Sequence, residues 1–193
     1  MKIGIDIDGV LTDINRFQMD YGGKFSYQKH LNGIVNPDEL NITEILECSK
    51  KETSAFWHKN LKFYKKKKYT REFAPEIIRK LKKQGNEIHI ITARKECERK
   101  WTTKWLKENK ISYDVLIMTE EKLEYCIENN IDLMVEDNVE NMTKISAKIP
   151  VLCFDNAWNK QYESQNVVRC YSWYDIYKEI LKSFKEENNE TTN

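Results

Sequence analysis

Two aspartates stand one residue apart near the start of the chain, where a short apolar segment meets a glycine. Asp6 and Asp8 follow the segment Lys2-Ile3-Gly4-Ile5, and Gly9 comes next. A strand built from isoleucine and glycine is typical of a parallel sheet that is buried on both faces. Carboxylates at the end of such a strand lose hydration, and a metal ion or a substrate would offset this cost. Because open parallel sheets bind ligands at these strand ends, the pair predicts a site for chemistry.

Asp13 has a simpler interpretation than the other two aspartates. It precedes Ile14 and Asn15, and aspartate commonly accepts hydrogen bonds from backbone N–H groups where the chain changes direction. We therefore expect Asp13 to be a helix cap. Capping does not account for Asp6 and Asp8, since it does not require two acids at this spacing followed by Gly-Val-Leu-Thr-Asp.

Three short motifs and a lysine occur in an order that resembles the haloacid dehalogenase superfamily. Asp6-Ile7-Asp8-Gly9-Val10-Leu11-Thr12-Asp13 resembles its first motif, and Ile90-Ile91-Thr92-Ala93-Arg94 resembles its second. Leu133-Met134-Val135-Glu136-Asp137-Asn138 resembles the fourth motif, a strand that ends in an acidic pair. Lys122 is the best match to the lysine that the superfamily places between them. The resemblance covers residues 1 to about 151, apart from the segment between the first two motifs.

The resemblance implies covalent phosphate-ester hydrolysis. In phosphatases of this superfamily the first aspartate is the nucleophile, so Asp6 would attack phosphorus and form an aspartyl-phosphate. The second aspartate is the general acid and base, so Asp8 would protonate the departing oxygen and later deprotonate the hydrolytic water. An acid at position 8 favours phosphate esters, because superfamily members that cleave carbon–halogen or carbon–phosphorus bonds lack it.

An oxygen-rich acidic site without clustered His or Cys favours Mg²⁺, which would also bring the carboxylate and the phosphate together. The resemblance implies three ligands: the Asp6 carboxylate, the backbone carbonyl of Asp8, and Asp137. We expect Glu136 to hold Lys122 or a metal-bound water. The alternative for Glu136 is a strand-end acid paired with a surface lysine.

The remaining phosphate contacts are expected from the second motif and from a lysine. Thr92 would donate its hydroxyl, together with the Ala93 N–H, to a phosphate oxygen. Lys122 would lie in the first turn of a helix capped by Thr119, where the helix dipole disfavours a cation unless an anion is nearby; Lys144 is the alternative. Arg94 would clamp the phosphate or a more remote part of the substrate, or else lie on the surface.

Composition excludes several other classes of protein. The chain has 193 residues, 40% of them hydrophobic, and a formal net charge of +1, so no overall field favours nucleic acid or a membrane. We expect a soluble, cytoplasmic protein without a signal peptide, a membrane span or a stable nucleic-acid partner. The cysteines are odd in number and form no C-x-x-C pair, which argues against disulfides or zinc. We expect no catalytic role for the histidines, which are His30, His58 and His89.

Alternating strands and helices predict a three-layer α/β fold with a central parallel sheet. Pro75 at a helix start and Gly85 just past its end bracket one helix. Trp101 and Trp105 give the next helix an apolar stripe, which we assign to packing. The predicted strands are residues 2–7, 87–92, 115–118, 131–136 and 149–154.

Residues 13–72 interrupt this alternation, with Gly22-Gly23, Gly33 and Pro37 as breaks. We expect this segment, called the cap segment below, to be a small helical cap inserted between the first and second motifs. A cap that closes over the strand ends excludes water and strengthens electrostatic contacts. The predicted organisation is a catalytic core of residues 1–12 and 73–185, the cap segment, and a frayed polar tail of residues 186–193.

Within the superfamily, the opening motif and the short helical insertion look most like the 5'(3')-deoxyribonucleotidases. This resemblance implies a nucleoside monophosphate as the substrate, with cap aromatics stacked on the base. Phe56 and Trp57 are the best candidates for that contact among the cap aromatics, which include Phe17, Tyr21, Phe63 and Tyr64. The chain departs from that family's pattern at Ile14, at Thr92-Ala93-Arg94 and at Glu136-Asp137, which weakens any assignment of base, sugar or phosphate position.

Two alternatives remain open at this level. A phosphatase of another small metabolite, such as a sugar phosphate, would use the same core chemistry with a different cap. A signalling receiver also phosphorylates an aspartate near Mg²⁺, but receivers carry it on a middle strand of the sequence. A homodimer is one oligomeric state that the sequence leaves open. The lysine run 65–68 is expected to be a solvated face, with attraction of an anionic substrate as the alternative.

Overall fold

The computed structural model describes residues 1–64 and 69–190, and for residues 184–190 the backbone alone. The lysine run 65–68 therefore lies outside the described residues. The backbone of residues 186–190 continues the last helix, where the sequence predicted a frayed tail. Residues 191–193 also lie outside the described part of the chain.

A parallel sheet forms the centre of the part of the chain that the structure describes. Its six strands lie in the order β3-β2-β1-β4-β5-β6, and each pairs in parallel with its neighbour. The first strand is therefore central, and the strand order changes direction beside it, which is where open α/β sheets bind ligands. The strands are β1 Lys2–Ile5, β2 Glu87–Thr92, β3 Val115–Met118, β4 Leu133–Glu136, β5 Val151–Phe154 and β6 Val167–Cys170.

The sixth strand is the one that the sequence did not predict. Strand β6 has four residues and includes Arg169, so it lacks the continuous apolar run that identified the other strands. Among the described residues it pairs with β5 alone and forms one edge of the sheet. Arg169 is accommodated there because its guanidinium donates hydrogen bonds to Asp155 and to backbone carbonyls of the preceding loop, including that of Tyr162.

Helices cover both faces of the sheet and make the three layers that the sequence predicted. Helices α4, α5 and α8 pack on one face, in a cluster that includes Ile77 and Trp173. Helices α6 and α7 cover the other face, in a cluster that includes Met134 and Met142. Their bounds are α4 Ala74–Lys83, α5 Arg99–Glu108, α6 Lys122–Glu128, α7 Val139–Ser146 and α8 Trp173–Glu190.

Helices also form the segment between β1 and β2. Helices α1 Ile14–Lys29, α2 Ile42–Ile45 and α3 Lys50–Tyr64 share a hydrophobic cluster of their own. The expectation of a helix break at Gly22-Gly23 is wrong, because α1 runs through both glycines. A Cβ at Gly22 would lie 3.1 Å from the Ile34 side chain, so this glycine permits close packing within the cluster.

Candidate active site

Three neighbouring strand ends bring the acidic and hydroxyl side chains together. Asp6 directly follows β1, Thr92 ends β2, and Asp137 directly follows β4. Because β1 pairs with both β2 and β4, these residues meet at one edge of the sheet. The Asp6 N–H donates to the Val135 carbonyl at 3.0 Å, which continues the β1–β4 pairing into the site.

Lys122 lies at the centre of this site. Its Nζ donates to Asp6 Oδ1 at 2.6 Å and to Glu136 Oε2 at 2.8 Å, and its side chain is buried. Burial alone would lower the pKa of Lys122, but the charges of Asp6 and Glu136 outweigh it and raise the pKa. The expectation that Thr119 caps the helix is wrong. Helix α6 begins at Lys122, and the Thr119 hydroxyl accepts the N–H of Glu121 instead.

The carboxylates of this site form a cluster that could hold a cation. One carboxylate oxygen from each of Asp6, Glu136 and Asp137 lies within 4.8 Å of the others, and all three residues are buried. Burial raises the pKa of Asp6 to about 7 and that of Asp137 well above its usual value, because an ionised carboxylate loses its hydration. Lys122 offsets only part of the negative charge, so the donor set fits a hard divalent cation.

Among the described residues, the carboxylate of Glu136 accepts more hydrogen bonds than that of Asp6 or Asp137. Its Oε2 accepts from Lys122, and its Oε1 accepts from the Asn138 N–H at 3.3 Å and from Asn141 Nδ2 at 3.1 Å. The pairing with Lys122 is the arrangement that the sequence suggested for Glu136. Protein donors therefore engage both carboxylate oxygens of Glu136.

The turn after β1 approaches Asp137 so closely that a side chain would not fit. Gly9 has φ +101°, and a Cβ at this position would lie 1.9 Å from Asp137 Oδ2. Asn156 joins the two segments: its Nδ2 donates to the Gly9 carbonyl and to Asp137 Oδ2, each at 3.1 Å. Arg71 donates to the Asn156 amide oxygen. The position of Asp137 is therefore tied to the motif turn and to the end of the cap segment.

The carboxylate of Asp8 has different hydrogen-bond partners from the carboxylate of Asp6. Its carboxylate accepts two hydrogen bonds from Arg94, Nε to Oδ2 at 2.7 Å and Nη2 to Oδ1 at 2.6 Å. The Tyr64 hydroxyl, at the end of α3, also donates to Oδ1. Burial raises the pKa of Asp8, but the charge and hydrogen bonds of Arg94 and the bond from Tyr64 outweigh it, and the pKa lies below its usual value.

A cavity of about 310 Å³ opens above these strand ends. Thr92 and Ala93 line it, and the Thr92 hydroxyl accepts the Arg94 N–H at 3.3 Å, which leaves its own O–H free to donate. A second cavity of about 270 Å³ adjoins the first, and four residues line both: Asp8, Ile14, Trp57 and Arg94. The other residues that line the second cavity are Leu61, Tyr64, Glu98 and Trp101.

Several residues singled out from the sequence lie elsewhere than expected. Phe56 is fully buried in the cap segment's own cluster, so its assignment to substrate contact is wrong, whereas Trp57 lines both cavities. Lys144, the alternative to Lys122, pairs with exposed Glu140 outside the acidic cluster. Trp101, assigned to packing, lines the second cavity.

Two further residues of the sequence analysis have structural roles. Asp13 caps α1, since its Oδ1 accepts the Arg16 N–H at 3.1 Å. His89 is buried between Tyr125 and Glu87, each 2.8 Å from one ring nitrogen. Both observations agree with the simpler interpretation of each residue.

Sequence reasoning missed the residues that orient the carboxylates. No sequence pattern marks Asn156 or Asn141, Arg71 lies beside the lysine run, and Tyr64 is expected only among the cap aromatics. Single asparagines and arginines in loops and helices carry no pattern that separates them from surface residues. Their contacts join residues far apart in sequence, such as Asn156 and Gly9, which are 147 positions apart.

The parallel sheet, the motif aspartates at its central strand ends, and the adjoining threonine and lysine define a phosphatase of the haloacid dehalogenase superfamily. The family model described as "5' nucleotidase, deoxy (Pyrimidine), cytosolic type C protein" matches residues 1–185. The chain belongs to this family and is a phosphoric monoester hydrolase. This assignment separates it from the signalling receivers considered above.

Individual relatives agree with the family. The chain is 30% identical over 190 residues to a nucleotidase of Clostridium acetobutylicum, and the match covers 96% of each chain. A β-phosphoglucomutase structure from Clostridium difficile has a TM-score of 0.64 at 16% identity and covers 96% of this chain and 97% of that one. A HAD-superfamily hydrolase from Geobacter sulfurreducens has a TM-score of 0.54 at 14% identity, with 92% and 97% covered. At these identities, the two solved structures show a shared fold alone.

No helix in the described part of the chain combines the length and apolar character needed to cross a bilayer.

Proposed function

We propose that the protein is a Mg²⁺-dependent nucleotidase that removes phosphate from nucleoside or deoxynucleoside monophosphates through an aspartyl-phosphate. The observation that carries this proposal is the buried cluster of Asp6, Asp137 and Lys122 at the floor of a cavity whose wall includes Trp57. The cluster suits a phosphoryl group, and the indole offers a flat surface to a base. Membership of the nucleotidase family supports the same substrate class.

Asp6 and Asp137 would hold the cation through their carboxylates, and Asp8 through its backbone carbonyl. When bound, Mg²⁺ would neutralise part of the negative charge of the carboxylates and of the phosphate. The buried excess of carboxylate over lysine supports this assignment, since paired acids without enough positive charge are costly to bury. Glu136 would orient Lys122 rather than ligate the cation.

The chain's own side chains would then carry two displacement steps. An Asp6 carboxylate oxygen forms a bond to phosphorus while the bond from phosphorus to the leaving oxygen breaks, and Asp8 gives that oxygen a proton. Asp8, now a carboxylate, takes a proton from water as the water attacks phosphorus and the Asp6–phosphorus bond breaks. Thr92 would donate to a phosphate oxygen, with the Ala93 N–H beside it. Arg94 lowers the pKa of Asp8, whereas the negative charge of a bound phosphate would raise it and so favour the protonated form of Asp8.

We further propose that residues 13–72 act as the cap, over a core of residues 1–12 and 73–185. Tyr64 and Trp57 support this division, since both belong to the cap segment and contact or line the site. The five thiols are free, and four of them are buried, which supports a reducing, cytoplasmic location. A homodimer stays an expectation that gel filtration with light scattering would test.

A substrate panel tests the nucleotidase proposal. Purified protein would be assayed for phosphate release from nucleoside 5'- and 3'-monophosphates beside sugar phosphates, at equal concentration and with added Mg²⁺. We expect the highest kcat/KM for a nucleoside monophosphate, and loss of activity in excess chelator that added Mg²⁺ restores. Much faster turnover of sugar phosphates would overturn the substrate assignment. Full activity in excess chelator would overturn the metal assignment.

A further inference from the structure

The guanidinium of Arg94 donates hydrogen bonds to protein groups. Its Nε and Nη2 donate to the two oxygens of Asp8, and its Nη1 lies 3.4 Å from the Thr102 hydroxyl as a further donor. The side chain is 7% exposed. A guanidinium that clamps phosphate presents a pair of N–H groups to it, and here the paired N–H groups already hold a carboxylate.

Aromatic rings surround the guanidinium of Arg94. Its guanidinium carbon lies 4.4 Å from the ring centroid of Trp101 and 6.0 Å from that of Trp105, both on helix α5. Tyr64, on helix α3, lies 5.9 Å away on the cap segment. A planar cation packed among aromatic rings gains attraction from their faces and loses rotational freedom. Helix α5 therefore supports the guanidinium that binds Asp8. The Nε and Nη2 groups of Arg94, which donate to the two oxygens of Asp8, are called the fork below.

Asp8 needs such support because of its place in the chain. It lies in the turn between β1 and Gly9, beside the buried acidic cluster of Asp6 and Asp137. Without the fork, its carboxylate could rotate toward Lys122 or toward a cation in that cluster. A general acid must be within hydrogen-bond reach of the leaving oxygen, and two parallel bonds fix both the position and the plane of the carboxylate.

We infer that Arg94 is a positioning residue that aims Asp8 at the leaving oxygen, and that it acts through Asp8 rather than by binding the phosphate. This inference rests on the general-acid role proposed for Asp8. It replaces the phosphate clamp expected from the sequence. The inference also assigns Trp101 a role beyond packing, because its indole lies against the guanidinium of Arg94.

The test compares two aryl esters of nearly equal shape. p-Nitrophenyl phosphate has a good leaving group that needs little protonation, whereas phenyl phosphate releases a phenolate whose acid has a pKa of about 10. In Arg94→Met, kcat/KM for phenyl phosphate is expected to fall about tenfold more than for p-nitrophenyl phosphate, as partial loss of general-acid catalysis predicts. Arg94→Lys keeps the charge but not the fork, and the same selectivity is expected. Equal losses on both esters would overturn the inference.

A double-mutant comparison separates positioning from direct binding. If Arg94 acts through Asp8, Arg94→Met added to Asp8→Asn leaves kcat/KM for phenyl phosphate within about twofold of Asp8→Asn alone. If the two losses multiply, Arg94 contacts the substrate and the inference is wrong. The matched control is Arg99→Met, since Arg99 is 41% exposed, pairs with Glu96 and is absent from both cavities. Its selectivity between the two esters is expected to equal that of the wild type.

Folding and the nucleotidase proposal are checked separately. Thermal unfolding of each variant shows whether a loss of rate reflects a loss of folded protein, which would affect both esters alike. The aryl esters carry no base or sugar, so failure of the nucleotidase proposal would leave their ratio informative. If Asp8→Asn leaves the ratio of kcat/KM between the two esters unchanged, Asp8 is not the general acid. The inference about Arg94 then fails as well.

Discussion

Asp6→Asn is expected to abolish phosphate release and, at the same time, to stabilise the metal-free protein. Burial raises the pKa of Asp6 from 3.8 to about 7, so the folded state disfavours its ionised form. Each pKa unit corresponds to about 1.4 kcal/mol, which makes the ionised carboxylate cost the folded protein on the order of 4 kcal/mol above neutral pH. An amide at this position removes that cost. In a protein of this size the gain corresponds to roughly 10 °C in Tm.

The stabilisation by Asp6→Asn depends on pH, because the pKa of Asp6 is higher in the folded chain than in the unfolded chain. Well below pH 4 the Asp6 carboxyl is protonated in both the folded and the unfolded wild type, so its charge makes little difference to stability between the wild type and the variant. As the pH rises from about 4 to 7, the unfolded chain releases its proton first, and wild-type stability falls relative to the variant. We expect the variant's advantage at pH 5 to be less than half of its advantage at pH 8.

The assay is chemical denaturation at pH 5 and pH 8 in excess chelator, with phosphate release measured on the same preparations. Asp38→Asn is the matched control, because Asp38 is 75% exposed and its Oδ1 lies 4.0 Å from Lys160 Nζ. The free energy of unfolding of this variant should stay within about 0.5 kcal/mol of the wild type. Added Mg²⁺ is expected to stabilise the wild type more than Asp6→Asn. Near-normal turnover by Asp6→Asn would refute the nucleophile assignment. Equal stability at pH 8 would refute the electrostatic argument.

Three further predictions concern the site and the cap segment. Asp137→Asn is expected to weaken activation by Mg²⁺ more than it lowers the maximal rate, and an unchanged activation constant in a Mg²⁺ titration would contradict this. Phe56→Ala should lower the free energy of unfolding by about 3–5 kcal/mol, whereas Trp57→Leu should mainly raise KM for nucleoside monophosphates. Denaturation and steady-state kinetics check this pair, and a larger KM effect at Phe56 would contradict it. Gly9→Ala forces the turn away from Asp137, where its Cβ would lie 1.9 Å from Oδ2. We expect phosphate release to fall about 10²-fold with circular dichroism unchanged, and a fully active variant would show that the turn adapts.

The order of the motifs let the sequence predict much of the sheet and of the acidic site. Short apolar runs identified five strands, and a parallel sheet brings the carboxyl ends of neighbouring strands together. Asp6, Thr92 and Asp137 could therefore be assigned to one edge without coordinates. Lys122 followed from its place among the superfamily's motifs. Its position in the first turn of a helix, where the helix dipole disfavours a cation unless an anion is nearby, agreed with that match. These inferences use information within a few residues of each position.

The sequence alone could not determine which side chains face the cavity or orient the carboxylates. Phe56 and Trp57 are neighbours of similar character, yet successive residues point about 100° apart on a helix, and only the packing of α3 against α1 decides which one faces inward. Arg94 and Asp8 are 86 positions apart, and no local pattern pairs them. Strand composition and motif order determined the chemistry that this protein can perform. The tertiary structure decided how its groups are aimed, because contacts between distant segments depend on the way whole helices pack.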